Sequence, residues 1–250
     1  MTIQDGDAIS ETDAGSGRTG ADARAWSVRA MIRRILVGLL VLAAIPLVLA
    51  PIHAVVRPVS TLMLWDLVTL KGYTRTWTPI ETISPHLIRS VIMSEDGRFC
   101  EHGGVDWTAL SLVLEAADED GPARGASTIS MQTVKNLYLW NSRSYIRKGL
   151  ELPLAIYADL VWSKRRTMEI YLNVAEWGPN LYGAEAAAQA YFGKSAAKLT
   201  RREAALMTAA LPNPIARNPA KPTNRQRRIA GIVERRAAQS GAYTACVLKS

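Results

Sequence analysis

LIRSVIMSEDGRFCEHGGVD, residues 87–106, joins an apolar helical run to a dense polar cluster with no spacer. Leu87 and Val91, and likewise Ile88 and Ile92, recur four residues apart, which marks one helix face as a core face. Glu95 falls at the end of that helix, followed at once by Asp96 and then by His102, Gly103, Gly104 and Asp106. A carboxylate placed there is either a solvated helix end or a base at the edge of a core. Burial raises a carboxylate's pKa toward a value useful for proton abstraction. The residues alone leave both readings open.

Working outward, Asp106 is a good N-cap for the helix WTALSLVLEAA. DEDGPARGA (118–126) is a polar Gly/Pro-containing break, expected to be a mobile loop. STISMQTVKNLYLW (127–140) reads as a two-faced helix, with Thr128, Gln132 and Lys135 on a polar stripe and Met131, Val134, Leu137 and Tyr138 on the buried one. The next helix opens with Arg147, Lys148 and Glu151, and Pro153 should distort its early part. Helices follow in SKRRTMEIYLN, GAEAAAQAYFG and TRREAALMTAAL, the last started by a Thr200/Glu203 capping box and stopped by Pro212, with a basic helix near 222–239. No strand series or repeat is evident. The expectation is a mainly α domain over residues 86–250.

Ahead of it, residues 35–56 carry no formal charge, and Arg24, Arg29, Arg33 and Arg34 precede them. About 20 apolar residues span a bilayer core, and basic residues before a span hold the N-terminus in the cytoplasm. The expected order is a cytoplasmic disordered tail and basic flank (1–34), a transmembrane helix (35–56), an extended connector (57–85) with Pro58, Gly72, Pro79 and Pro85, and then the domain. In a bacterium that domain is periplasmic, on a single-pass inner-membrane anchor. Of the formal charge of +8, residues 1–23 contribute −4 (Asp5, Asp7, Glu11, Asp13 and Asp22 against Arg18) and the rest +12. Nucleic acid is a poor partner for that charge, because the bases are interleaved with apolar helices across a membrane from the genome. Cys100 and Cys246 define no disulfide framework and are expected as unpaired or partly buried thiols. No Cys/His spacing suggests zinc.

Three polar clusters remain: Glu95/Asp96/His102, Thr128/Gln132/Lys135 and Arg147/Lys148/Glu151. Each has a bland reading: a helix end, the wet side of an amphipathic helix, and a surface ion pair at i,i+4. Each also suits glycosyl transfer. A carboxylate takes the proton of an attacking hydroxyl, and lysine and arginine stabilise a departing diphosphate.

EDGRFCEHGGVD resembles the ED-x-x-F-x-x-H-x-G-x-D motif of the peptidoglycan glycosyltransferases. GASTISMQTVKNLYL is similar to their G-A-S-T-I-x-x-Q-x-x-K-N-L motif, and RKGLE to their R-K-x-x-E. YLNVAEWGPNLYGAEAAAQAYFGK and LTRREAALMTAALPNP resemble the remaining blocks, in order, through residues 88–214. The resemblance is strongest to the monofunctional members, related to the glycosyltransferase domain of bifunctional penicillin-binding proteins. It implies a lysozyme-like helical fold that polymerises lipid II into β-1,4-linked glycan strands with inversion, releasing undecaprenyl diphosphate. On this chain Glu95 matches the catalytic base, and Thr128, Gln132, Lys135, Arg147 and Lys148 match positions that hold the diphosphate and donor sugars. Glu151 matches a second essential carboxylate, which orients the substrate or a divalent cation (Mg or Mn) at the diphosphate. Asp96, Phe99 and His102 shape the first motif on the substrate side. Lipid II, the growing strand, membrane lipid and other wall-synthesis proteins are the partners implied.

Two departures stand out. Met131 replaces a glutamine common in the family, so no hydrogen bond is needed there. SAAK (195–198) mimics the S-x-x-K of transpeptidases without an S-D-N-like or K-T-G partner, and reads as chance. Two rival readings are a lysozyme-like glycan hydrolase, which has no need of the Lys135, Arg147 and Lys148 charges, and an inactive membrane-tethered scaffold, against which Glu95 and Glu151 both argue.

Overall fold

A computed structural model describes residues 20–120, 125–142 and 144–248. The acidic tail over 1–19 and the centre of the expected loop, 121–124, lie outside the described residues. The chain divides into two units, residues 1–45 and 46–250. Helix α1, Gly20–His53, begins in the first and ends in the second. Over Val28–His53 it is long and apolar enough to cross a membrane. Side chains along it, such as Leu36, Leu40 and Leu42, are exposed, as a single-pass membrane anchor requires.

Residues 57–85 correct the expectation of an extended connector. Ser60 caps a helix α2, Thr61–Val68, by accepting from Met63 N–H, and Met63 is fully buried. Strand β1, Thr74–Arg75, and a short 3-10 turn, Ile80–Thr82, follow, with Ile80 and Ile83 in the core. Pro79 and Pro85 are not marks of a linker: they start helical turns, where a missing N–H costs nothing. The end of the anchor is also part of this unit. Trp162 Nε1 donates to Ala50 O at 2.7 Å, the Arg166 guanidinium to His53 O and Val56 O, and His53 Nδ1 lies 2.8 Å from the Tyr138 hydroxyl.

Eight further helices build the unit: α3 Pro85–Glu95, α4 Trp107–Asp120, α5 Ile129–Tyr138, α6 Tyr145–Val161, α7 Lys164–Val174, α8 Ala184–Phe192, α9 Arg201–Ala210 and α10 Asn224–Ala238. The expected signals operate. Asp106 Oδ1 caps α4 through Ala109 N–H, and Thr200 with Glu203 closes a capping box on α9. Met131, Val134 and Leu137 are buried as read. Ser195 of SAAK caps a 3-10 turn and bonds Glu185, a structural use. Helix α6 runs on through Pro153, which leaves the Gly149 carbonyl four residues back without its helical donor.

There is also a small sheet, order β1-β3-β2, which the sequence reading lacks. Strands β2, Glu176–Gly178, and β3, Leu181–Tyr182, pair antiparallel, and β1 pairs parallel to β3 with Thr74 opposite Leu181. Two- and three-residue strands are too short to write an alternation into the sequence.

Two apolar clusters flank α5 and α7. Met168, Tyr171 and Leu172 of α7 join the cluster under α3, α8 and α9, while Ile170 and Val174 join the cluster beneath α6 and α2. Helix α7 is thus buried on both sides, and α5 lies against it along the seam.

Cys100 and Cys246 form a disulfide, 5.6 Å between Cα atoms, correcting the expectation of free thiols. A separation of 146 residues leaves no local sign in the sequence. The fold makes the pair by laying the C-terminal turn, with Val247 buried, under the loop after α3.

Two stability predictions follow from these contacts. Replacing both cysteines by serine, which opens a long covalent loop, should cost about 3–5 kcal/mol. Denaturant melts that coincide with wild type, with and without reductant, would show that the bond carries no load. Truncation to residue 46 keeps the Ala50 and His53 bonds, whereas truncation to residue 57 removes them. The shorter protein should be less stable by about 2–4 kcal/mol, read as a difference in melts in one detergent.

Candidate active site

The first motif is a bracket. Asp96 is buried; its carboxylate accepts from Ile129 N–H at 2.9 Å and from His102 Nε2 at 2.9 and 3.0 Å. It therefore ties the end of α3 to the start of α5. Gly104 has φ +83° and lies against the Ala155–Ile156 backbone of α6, where any Cβ would collide. Its carbonyl accepts from the Thr128 hydroxyl at 2.6 Å, and the same Thr128 oxygen caps α5 by accepting from Met131 N–H.

This geometry separates the residues expected at the substrate. Phe99 is 0% exposed, in the core with Lys164 Nζ 4.8 Å from its ring centre. Its ring belongs to the core packing, and His102 is held on Asp96. Thr128 lines a cavity, but its hydroxyl is spent on the fold.

Glu95, in contrast, projects from the bracket. Its Oε2 accepts from Gln132 Nε2 at 3.2 Å and its Oε1 from the Ser94 hydroxyl at 3.2 Å. Burial pushes its pKa up, and the bonds from Gln132 and Ser94 and the charge of Arg217 pull partly back. A cavity of about 390 Å³ lies on its side, lined by Ser94, Glu95, Arg98, Ser127 and Arg236. A second, of about 280 Å³, is lined by Gln132, Lys135, Asn141, Tyr171 and Glu176. The Glu95–Gln132 bond joins a wall of one to a wall of the other.

The cations gather on α5 and α6. Arg147 and Lys148 both pair with the buried Glu151, Lys148 Nζ at 3.2 Å, and Lys148 also donates to the Ser127 hydroxyl at 2.6 Å. Lys135 has its pKa lowered by burial and by Arg147. Lys148 is brought down to about 8 by burial, Arg147 and Lys135. Two cations thus share Glu151, while Lys135, close enough to lower the pKa of Lys148, also feels Glu176 and Glu95; a cluster of three cations suits an anionic group. Glu151 sets the two α6 cations in place, as the i,i+4 spacing of Arg147 allowed.

The donor set does not form a protein cage for a divalent cation. Among the described residues no three Asp, Glu, His or Cys side chains converge, and Glu151 already serves two cations. A hard cation wants several oxygen ligands.

Sequence reasoning missed Ser127, Tyr171, Glu176, Arg217 and Arg236. Tyr171 and Glu176 sit in blocks that resemble the family as a whole, where no spacing singles them out. Arg217 and Arg236 come from segments that only folding brings to α3.

The comparisons agree with this architecture. The family described as Transglycosylase matches residues 65–237. A protein of Agrobacterium fabrum named biosynthetic peptidoglycan transglycosylase is 60% identical over 222 residues, 88% of this chain and 98% of the relative. A Brucella suis protein of that name is 60% identical over 225 residues, 89% of this chain and 99% of its own length. One from Rhizobium meliloti is 54% identical over 234 residues, 93% and 98%. With the helical bracket around Glu95, the basic cluster of α5 and α6 and these relatives in register over nearly their whole length, the chain belongs to the transglycosylase family.

Proposed function

We propose that this protein is a peptidoglycan glycosyltransferase of cell-wall synthesis that joins lipid II units into β-1,4-linked glycan. The observation that carries the reading is a half-buried carboxylate with raised pKa between two cavities, with Lys135 in the wall of one and coupled to Arg147 and Lys148. The acceptor sugar's 4-hydroxyl gives its proton to Glu95, and its oxygen attacks the anomeric carbon of the donor. The bond from that carbon to the diphosphate oxygen breaks, its electron pair leaving with the diphosphate and the configuration inverting. Lys135, Arg147 and Lys148 stabilise the charge that develops there.

Supported by the apolar α1 and its arginine flank, we place the catalytic unit on the periplasmic side of a bacterial inner membrane. Lipid II and the growing strand are its substrates, with membrane lipid and other wall-synthesis proteins as neighbours. A hydrolase of neutral glycan leaves the cation cluster without a purpose, and polymer formation from lipid II without cleavage of finished glycan separates the two readings.

Glu95→Gln keeps the shape of the side chain and cannot take the proton. Polymerisation of lipid II should fall by about 10²–10⁴-fold in protein with an unchanged melting curve. Near wild-type turnover would remove Glu95 from the role.

Lys148 sets a limit at high pH. Below a pKa of about 8 it is protonated and faces the diphosphate as a cation; as pH rises through that value the charge is lost. The kcat/KM profile, which reports the free enzyme, should therefore fall on the alkaline side near pH 8. In Lys148→Arg the group stays charged at every working pH, so the fall should move upward whatever the absolute rate. An alkaline limb that stays in place would assign it to another group.

A further inference from the structure

Behind Gln132 lies a residue without an assigned part in the reaction. Tyr171 of α7 is 1% exposed, and its hydroxyl donates to Gln132 Oε1 at 3.1 Å, while Gln132 Nε2 donates to Glu95 Oε2 at 3.2 Å. Among the described residues Gln132 Oε1 is the one side-chain acceptor of the phenol's proton. We propose that Tyr171 is a positioning residue that holds the Gln132 amide with its NH2 toward Glu95, leaving Oε1 of Glu95 as the oxygen that takes the acceptor sugar's proton. The inference rests on the reading of Glu95 as the base.

The argument is one of donors and acceptors. An amide has one acceptor end and one donor end, a phenol one hydrogen, and an ionised carboxylate none. Burial, Glu95 and Asp96 hold the Tyr171 proton on well past the ordinary phenol range, so the hydroxyl remains a donor. With the amide turned round, the phenol hydrogen would be buried without an acceptor, and Gln132 Oε1 would face the Glu95 oxygens lone pair to lone pair. An unmade bond of that kind is costly where water cannot replace it. Tyr171 thus selects the orientation that stabilises ionised Glu95. It also occupies Oε2 through Gln132, a residue that lines the other cavity and not the 390 Å³ one. Oε1 bears only the exposed Ser94 hydroxyl, and Ser94 and Glu95 line that cavity together. The acceptor hydroxyl therefore approaches from there, and its proton goes to Oε1 as the carbon–oxygen bond forms.

Without the phenol hydroxyl the amide is free to turn, and ionised Glu95 loses a fixed donor. The other charges around Glu95 are Asp96 beside it, Lys135 on α5, Arg217 after α9, Arg236 of α10, and Arg98 and Asp106 along the same cavity. All remain in Tyr171→Phe, so a shift in the acid limb reports the amide.

The test is the pH dependence of kcat/KM for lipid II polymerisation by the full chain in detergent. Wild type, Tyr171→Phe, Gln132→Met and the double variant are compared between pH 5 and 9, an experimental window of about four units around neutrality. In Tyr171→Phe the acid limb should move up by about one unit, so that the loss at acid pH exceeds the loss at high pH by about tenfold. Gln132→Met should move it in the same direction, and adding Tyr171→Phe to that variant should move it no further, because the hydroxyl acts only through the amide. The double variant removes both partners of the buried bond and so keeps the test available if Tyr171→Phe alone does not fold. A loss uniform across pH with the limb unmoved would reduce Tyr171 to a core residue. A further shift in the Gln132→Met background would break the chain between them. Retained polymerisation in Glu95→Gln would instead overturn the base assignment, whatever Tyr171 does.

Discussion

The carboxylate of Asp96 is the constraint on which the rest of the site depends. It receives the N–H of Ile129, at the start of α5, and the ring of His102. One side chain thus sets the end of α3 against the start of α5 and fixes the loop after α3. Glu95 precedes it and Gln132 lies one turn into α5, so the hydrogen bond between those two follows from the bracket. A buried carboxylate so fully engaged is costly to disturb, because losing either donor leaves charge without compensation.

The second constraint is packing. Helix α7 contributes to both apolar clusters, and α5 lies against it where they meet. The two cavities open beside this seam, and the residues dividing them come from α3, α5 and α7. Side chains in such interiors have few rotamers open to them. The polar groups projecting from the seam are held by their backbones as much as by their hydrogen bonds. Positive charge is concentrated on α5 and the first turns of α6, on Lys135, Arg147 and Lys148, and the buried Glu151 keeps the last two from separating.

What the sequence made legible is local. The stripe of Gln132 and Lys135, the Asp106 and Thr200 caps and the core face of α3 are written within a few residues, because helical geometry repeats at that distance. The ED…H…D motif was legible as a motif, but not its division of labour. Nothing in the string separates Glu95, which projects, from Asp96, His102 and Thr128, whose polar atoms serve the bracket, or from Phe99, which is core. That division depends on where α5 and α6 come to rest. The disulfide, the strand pairing of Thr74 with Leu181 and the burial of Met63 are long-range, and a single sequence carries no mark of them. In residues 57–85 prolines that open helical turns look the same on paper as prolines in a linker.

The bond between Cys100 and Cys246 also has a direction in time. A chain is made from its N-terminus, and Cys246 follows Cys100 by 146 residues that include helices α4 to α10. The covalent ring can close only when every one of those helices has been made and the C-terminal turn has found its place beneath the loop after α3. Closure therefore waits on synthesis: the loop after α3 is tied covalently only once α4 to α10 exist, and an incomplete chain has no way to lock it early.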